Sequence, residues 1–349
     1  MLDLNTKLEV TPLLAPENPN KPSAVIGGKT SGILNWNDIK YDLAYERYKE
    51  LLANFWIASE INMTDDIKQW KQFTEEEKER FLKINGLVSI LDSVQPRFFG
   101  HLIKYISDPS IQNVFIIAMQ QEVVHNQSYS YILSSLERLE NQNKAFDMAR
   151  SEKAIYERNN LIINVYDELD KNPTVKTFLN ALIASVALEG INFYSAFAYF
   201  YNLARNQKML KTSTLVSYIQ KDELVHTKIV TDVINLIVKE NPHLHSYIEE
   251  FSKEFLHMAV EKEIEWSTYI LKGEEDIDLL EMADYIKYRA NKCLSMIGIP
   301  ALYEEVGDNP MPWIRAFSDE NMNAGKTDFF ENKPRSYTKI SEDNGFDEL

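Results

Sequence analysis

Cysteine is nearly absent from this 349-residue chain, where Cys293 stands alone. One thiol cannot close an internal disulfide, and every cysteine-based zinc or iron–sulfur site within one chain is excluded with it. That usage fits a reducing, cytoplasmic compartment. Glycine and proline are scarce at 11 and 12 residues, which excludes collagen-like and low-complexity architectures. Long apolar runs are missing as well: no segment approaches the ~18 uninterrupted apolar residues that argue for a membrane span. The opening MLDLNTKLEV has no basic stretch leading into an apolar run, so no secretory signal is expected. Basic charge is short, with 37 Lys and Arg against 53 Asp and Glu, a formal net charge of −16. A chain this acidic is ill suited to neutralising phosphates, and no nucleic-acid partner is expected. The surplus acid is mostly solvated surface, yet part of it is available to bind metal.

What is present is helical spacing. Residues 1–34 carry four prolines (Pro12, Pro16, Pro19, Pro22) and no sustained periodicity, and they read as an extended arm. The GGKTSG stretch at Gly27–Gly32 lacks the first glycine of a phosphate loop, since Ser23 stands there, and lacks its flanking strand and helix. From about residue 318 the chain is polar and low in core residues, and reads as a flexible tail. The intervening 35–317 forms one helical domain. Thr74 and Glu77 make a capping box that opens a helix reaching toward Asp108-Pro109, with further helices over about 110–141, 151–170, 173–206, 213–241, 244–272 and 277–297. Thr212 or Ser213 is expected to cap the fifth of these. Long helices with short connections and no alternating strands argue for an all-α bundle.

Six histidines supply four Glu-x-x-His pairs: Glu122/His125, Glu223/His226, Glu240/His243 and Glu254/His257. Residues three apart share a helix face and can hold one ion. The neighbours separate the four. Around Glu122/His125 the stripe reads Phe115, Ala118, Tyr129, Ile132, and around Glu223/His226 it reads Val216, Ile219, Val230, Val233. Both pairs lie on apolar faces, where an ionised Glu is costly unless paired or metal-bound. The stripe of Glu254/His257 (Tyr247, Glu250, Glu261) is a solvated face, and Pro242 breaks the helix inside Glu240/His243. Those two pairs are expected to bind nothing.

Two further acids sit on apolar stripes. Glu189 lies among Leu182, Val186, Phe193 and Phe200, and Asp92 lies among Val88, Phe99 and Ile103. Pro96 removes the donor to the Asp92 carbonyl, so a distorted helix is expected at that acid. For any one of these groups alone, a satisfied core hydrogen bond is the ordinary alternative. Taken together they form the four-helix dinuclear carboxylate pattern, with one acid from each of two helices and Glu-x-x-His from each of the other two. Oxygen-rich ligation with one imidazole per ion suits iron or manganese.

The segments ILDSVQPR from Ile90, QQEVVHNQSYSYI from Gln120, ALEGINFY from Ala187 and QKDELVH from Gln220 closely resemble the small, radical-generating subunit of class I ribonucleotide reductase. The resemblance covers roughly residues 35–349. It implies a ferritin-like helical bundle with Asp92, Glu122 and His125 on one metal ion and Glu189, Glu223 and His226 on the other. The ion pair is Fe/Fe by preference, with Mn/Mn or Mn/Fe open. It implies a radical at Tyr129, a shielding pocket of Phe193, Phe197 and Ile219, and an electron route through Trp56 and Asp222 to a tail tyrosine, Tyr337. It also implies a homodimer whose tail, 318–349, docks on a large catalytic subunit that reduces ribonucleotides to deoxyribonucleotides. A ferritin-like storage or ferroxidase protein keeps the site but lacks such a tail. A dinuclear oxidase or desaturase needs its own substrate channel.

Overall fold

The computed structural model describes residues 2–318. Eleven helices form it: α1 Asp42–Ala53, α2 Thr64–Trp70, α3 Glu75–Leu102, α4 Pro109–Leu136, α5 Leu139–Ser151, α6 Lys153–Lys171, α7 Val175–Ala187, α8 Tyr194–Arg205, α9 Leu210–Glu240, α10 His245–Ile270 and α11 Leu279–Met296. Among the described residues there is no β-strand, only isolated bridges at Lys7–Thr174 and Ile26–Ile106. The Thr74–Glu77 capping box opens α3, and Asp108 caps α4 by accepting from the Ile111 N–H at 2.9 Å. Around the centre α3 packs on α4, α4 on α9, and α7 and α8 on α9.

Every residue from Ala181 to Ala204 is buried. By length and composition Val175–Arg205 is apolar enough to cross a membrane, but here it is the innermost element of the bundle. It is not one helix. A π turn, Leu188–Asn192, joins α7 to α8 and carries Glu189. The periodicity read as one continuous helix to about 206 is thus corrected. At Pro96 α3 is not interrupted and continues to Leu102. Phe98, Phe99 and Leu102 beyond the proline are buried, and this packing carries the helix past the lost hydrogen bond.

The cap of α9 also differs from expectation. Its N-cap is Met209, in the left-handed region at φ 51° with no side-chain cap of its own. Asp66 of α2 does the work from across the fold, accepting from the Lys211 N–H (3.1 Å), the Thr212 N–H (2.7 Å) and the Thr212 hydroxyl (2.8 Å). The segment read as one helix over 110–141 is split at Glu137 between α4 and α5.

The N-terminal arm lies along the bundle rather than away from it. The Leu8 N–H donates to Pro173 O, Ser107 N–H to Val25 O, and Val25 and Ile26 are buried. Glu240 and His243, the pair broken by Pro242, hold this arm. Glu240 accepts from the Val25 N–H at 3.0 Å and from the Tyr41 hydroxyl, and His243 Nε2 donates to Leu2 O at 2.8 Å.

Candidate metal centre

Four elements deliver six side chains to the middle of the bundle: Asp92 from α3, Glu122 and His125 from α4, Glu189 from the π turn, Glu223 and His226 from α9. All six are fully buried. Donor atoms of Glu122, His125, Glu223 and His226 lie within 4.8 Å of one another. Glu189 adjoins this cluster, with Oε2 at 3.6 Å from His226 Nδ1. Asp92 feels the Glu122 and Glu223 carboxylates strongly, but it stands outside the tight foursome.

The imidazoles are held in one tautomer by a crossed pairing. The residue before each Glu reaches over to the histidine of the other helix. His125 Nε2 donates to Asp222 Oδ2 of α9 at 3.2 Å, and His226 Nε2 donates to Gln121 Oε1 of α4 at 3.0 Å. Gln121 is itself oriented by donating to Leu51 O at 3.0 Å. Both Nδ1 atoms therefore face the carboxylates, His226 Nδ1 at 2.7 Å from Glu122 Oε1 and His125 Nδ1 at 3.1 Å from Glu223 Oε1. An outer acceptor that fixes the tautomer and raises basicity is characteristic of metal-bound histidine. Gln95 performs a similar task for Glu189. Its amide donates to Glu189 Oε1 and to Ser185 Oγ (2.9 Å), while its carbonyl accepts from Tyr166 (2.9 Å).

The inner atoms meet only one another. Both oxygens of Asp92 have no hydrogen bond, and the inner oxygens of Glu122, Glu189 and Glu223 face the Nδ1 atoms of His125 and His226. Four buried acids with only two imidazoles among them are costly unless a cation joins them, so the cluster fits a cation site. Electrostatics agree. Burial pushes the Asp92 carboxyl well above its usual range, and the Glu122 and Glu223 carboxylates push the same way. Burial also raises Glu189, with Glu223 and Glu122 adding to it. Burial pushes Glu223 up too, but hydrogen bonding to Glu189 and the two imidazoles outweigh it and hold Glu223 well below its usual range. Burial opposes charge on both imidazoles. The surrounding carboxylates, Glu223 foremost at His125 and Glu122 at His226, nonetheless raise them well above 6.5. The pocket demands positive charge, and two dications match four carboxylates. Oxygen and imidazole donors without thiolate suit iron or manganese.

Tyr129 lies one turn beyond His125, fully buried, with no hydrogen-bond partner for its hydroxyl. Phe193, Phe197 and Ile219 are buried as well, the two phenyl rings stacked at 5.8 Å. Trp56 is half-buried. Its Nε1 donates to the same Asp222 Oδ2 at 2.8 Å, so an indole, a carboxylate and a ligand-type histidine form one hydrogen-bonded chain. The Trp56 ring also stacks near His125, at 6.1 Å between centroids. Tyr337 lies outside the described residues. The pair Glu254/His257 sits apart on the surface, where His257 bonds the Tyr303 hydroxyl at 2.9 Å. Gln121 and Gln95 carry no charge that would mark them in the sequence. Their signal was position: Gln121 precedes Glu122 as Asp222 precedes Glu223, and Gln95 follows Asp92 by three.

Residues 33–310 match the family described as ribonucleotide reductase, small chain. The chain is 45% identical over 332 residues to the ribonucleoside-diphosphate reductase subunit beta of Halalkalibacterium halodurans, covering 95% of this chain and 96% of that one. It is 33% identical over 321 residues to the subunit of the same name from Treponema pallidum, covering 91% of each. The structure superposes on the ribonucleotide reductase R2 subunit from Clostridium botulinum with a TM-score of 0.87 at 35% identity, covering 89% of this chain and 99% of that one. The chain belongs to the ribonucleotide reductase small-chain family, as a small subunit of the class I enzyme.

Proposed function

We propose that Asp92, Glu122 and His125 hold one metal ion and Glu189, Glu223 and His226 the other, and that Tyr129 stores the radical this subunit lends to ribonucleotide reduction. The ions are two irons by preference, with manganese or a mixed pair fitting the same donors. The observation that carries the reading is the convergence of buried carboxylates and two inward Nδ1 atoms in one cluster, beside an Asp92 whose two oxygens have no hydrogen bond. When bound, the ions supply the electrons that turn an oxygen-derived oxidant into one able to oxidise a phenol.

The chain's own residues do the rest. Burial pushes the Tyr129 phenol well above 10, and the neighbouring Asp92 carboxylate adds to it, so the resting phenol is neutral. Removing an electron from it therefore requires removing the proton on Oη, and Asp92 is the carboxyl whose charge acts most strongly on that phenol. Full burial among apolar side chains keeps reductants and water from the oxidised ring. The chain Trp56–Asp222–His125 is the inner part of an electron route that continues to Tyr337. Asp222 Oδ2 accepts from both the indole and the imidazole, so it couples the two rings without carrying the electron itself.

The protein acts as a cytoplasmic homodimer. It docks on the large catalytic subunit through a tail at 318–349 that follows the 35–317 bundle and the 1–34 arm. In that tail Phe346 and Leu349 are the only bulky apolar anchors of the last nine residues. The test is Tyr129→Phe, which removes one hydroxyl and little volume. After metal loading and exposure to oxygen the parent gives a tyrosyl electron paramagnetic resonance signal. The variant keeps its metal and loses both signal and turnover with the large subunit. Persistence of the signal in the variant overturns the assignment.

A further inference from the structure

The π turn that carries Glu189 is gripped by two arginines from outside its own helix. Arg289 Nε of α11 donates to Gly190 O at 3.2 Å, and Arg158 Nη2 of α6 donates to Asn192 O. Arg158 is completely buried, and so is its partner Glu263 of α10. The remaining contacts of this pair point at the same place. Glu263 takes Arg158 Nε on one oxygen and the Ser195 hydroxyl, two residues into α8, on the other. Arg158 Nη1 is held by Asn159 Oδ1 at 3.0 Å. A carbonyl on one side of the π–α8 junction and a hydroxyl on the other are thus tied to one ion pair rooted in two further helices.

Stability alone does not explain such a pair. Taking two charges out of water is costly, and well-packed apolar residues commonly serve as well or better. A fixed geometry is the better-attested use, and here there is a geometry to fix. A π turn inserts one extra residue per turn, so it sets α7 and α8 out of register by about 100° relative to a regular helix. Glu189 is the second residue of that turn. If the segment reverts to regular α-helix, Glu189 cannot keep its direction while Phe193 and Phe197 keep theirs.

We propose that Arg158 and Glu263, with Ser195, are positioning residues that hold the π turn in register and thereby aim Glu189 at the second metal ion. This rests on the assignment of Glu189, Glu223 and His226 to that ion. The pair touches none of the six ligands, so its influence runs through the Asn192 carbonyl and the start of α8. Removing it weakens the second ion selectively. The ion on Asp92, Glu122 and His125 is left alone.

The experiment is an anaerobic Mn(II) titration of the full chain, reading free Mn(II) by electron paramagnetic resonance. Arg158→Met with Glu263→Leu removes both charges together and avoids a stranded buried ion. The parent binds two ions. The double variant is expected to hold one with parental affinity and to bind the second about tenfold more weakly or worse, in the range seen when outer partners of ligands are lost. Two ions at parental affinity overturn the proposal. So does equal weakening of both, which is what general loosening of the fold produces. Should the double variant not fold, Ser195→Ala decides: a second ion weakened about threefold or more upholds the clamp, and an unchanged one overturns it. Glu189→Ala separates the clamp from the ligand assignment. If it leaves both ions at parental affinity, the ligand assignment itself fails. If it weakens the second ion while the Arg158/Glu263 variant does not, only the clamp fails.

Discussion

Gly190 is the position where a single methyl group tests the packing around Glu189. A Cβ there would fall well inside 3.0 Å of Cys293 Sγ on α11, while its other neighbours, Thr227 Cγ2 and Oγ1 at 3.5 and 3.8 Å, are in ordinary contact. Cys293 is fully buried, so its sulfur has little room to retreat without α11 moving. Two effects oppose each other in Gly190→Ala. Alanine loses less backbone entropy than glycine in a helical interior, a gain of about 0.5–1 kcal/mol. Overfilling a packed site costs about 1–3 kcal/mol. The clash wins, leaving a net loss of about 1–2 kcal/mol and a melting temperature lower by roughly 1–3 °C for a chain of this size. Cys293→Ala opens the space the new methyl needs, so Gly190→Ala/Cys293→Ala should be scarcely less stable than Cys293→Ala alone. The coupling between the sites is then about 1–3 kcal/mol in a double-mutant cycle. Urea unfolding of the metal-free protein measures all four corners. A Gly190→Ala protein as stable as its parent, or additive effects in the double variant, would refute the close approach of α11 to the π turn.

Asp66→Ala deprives the α9 N-terminus of three hydrogen bonds at once and should cost about 2 kcal/mol in the same unfolding assay, the upper end for a lost cap, while both ions still bind. Metal loading should release protons, because His125, His226, Asp92 and Glu189 all hold theirs more tightly than usual in the metal-free pocket. The sign follows: raising the pH removes the competing protons, so Mn(II) affinity rises with pH and goes on rising above about pH 7.5, where imidazoles of ordinary pKa would already be almost entirely bare. Calorimetry in two buffers of different ionisation heat reads the protons released, and an affinity flat from about pH 6.5 to about pH 8 contradicts it.

The metal centre was legible in the sequence because its cost was. Glu122, His125, Glu223 and His226 each sit on a stripe whose other members are apolar, and a 3.6-residue period places such a stripe in the core. The same reasoning set aside Glu254/His257, which the structure leaves on the surface beside Tyr303. What escaped depends on groups remote in sequence or on a break that composition does not mark. Glu240 and His243 looked idle, and their partners in the arm, Val25 and Leu2, are more than two hundred residues away. Thr212 and Ser213 are the local cap candidates for α9, yet the acceptor is Asp66 from a different helix. Nothing in LEGIN announces a π turn, since the apolar stripe from Leu182 to Phe200 continues through it with helical spacing. The groups that meet the turn, Arg158, Arg289 and Cys293, come from other helices and are remote from it in sequence. Pro96 was the opposite case, a strong local breaker overruled by the buried aromatic residues that follow it.

The central claim is a two-ion centre built from these six residues, and metal stoichiometry in three proteins tests it most directly. The parent, loaded with Fe(II) or Mn(II) and freed of loose metal, should retain two ions per chain. Glu223→Ala should retain fewer, because it removes a carboxylate that lies within reach of both histidines. His257→Ala, with its imidazole on the surface, should match the parent. Equal retention in Glu223→Ala and His257→Ala, or a parent that retains no metal, would contradict the site.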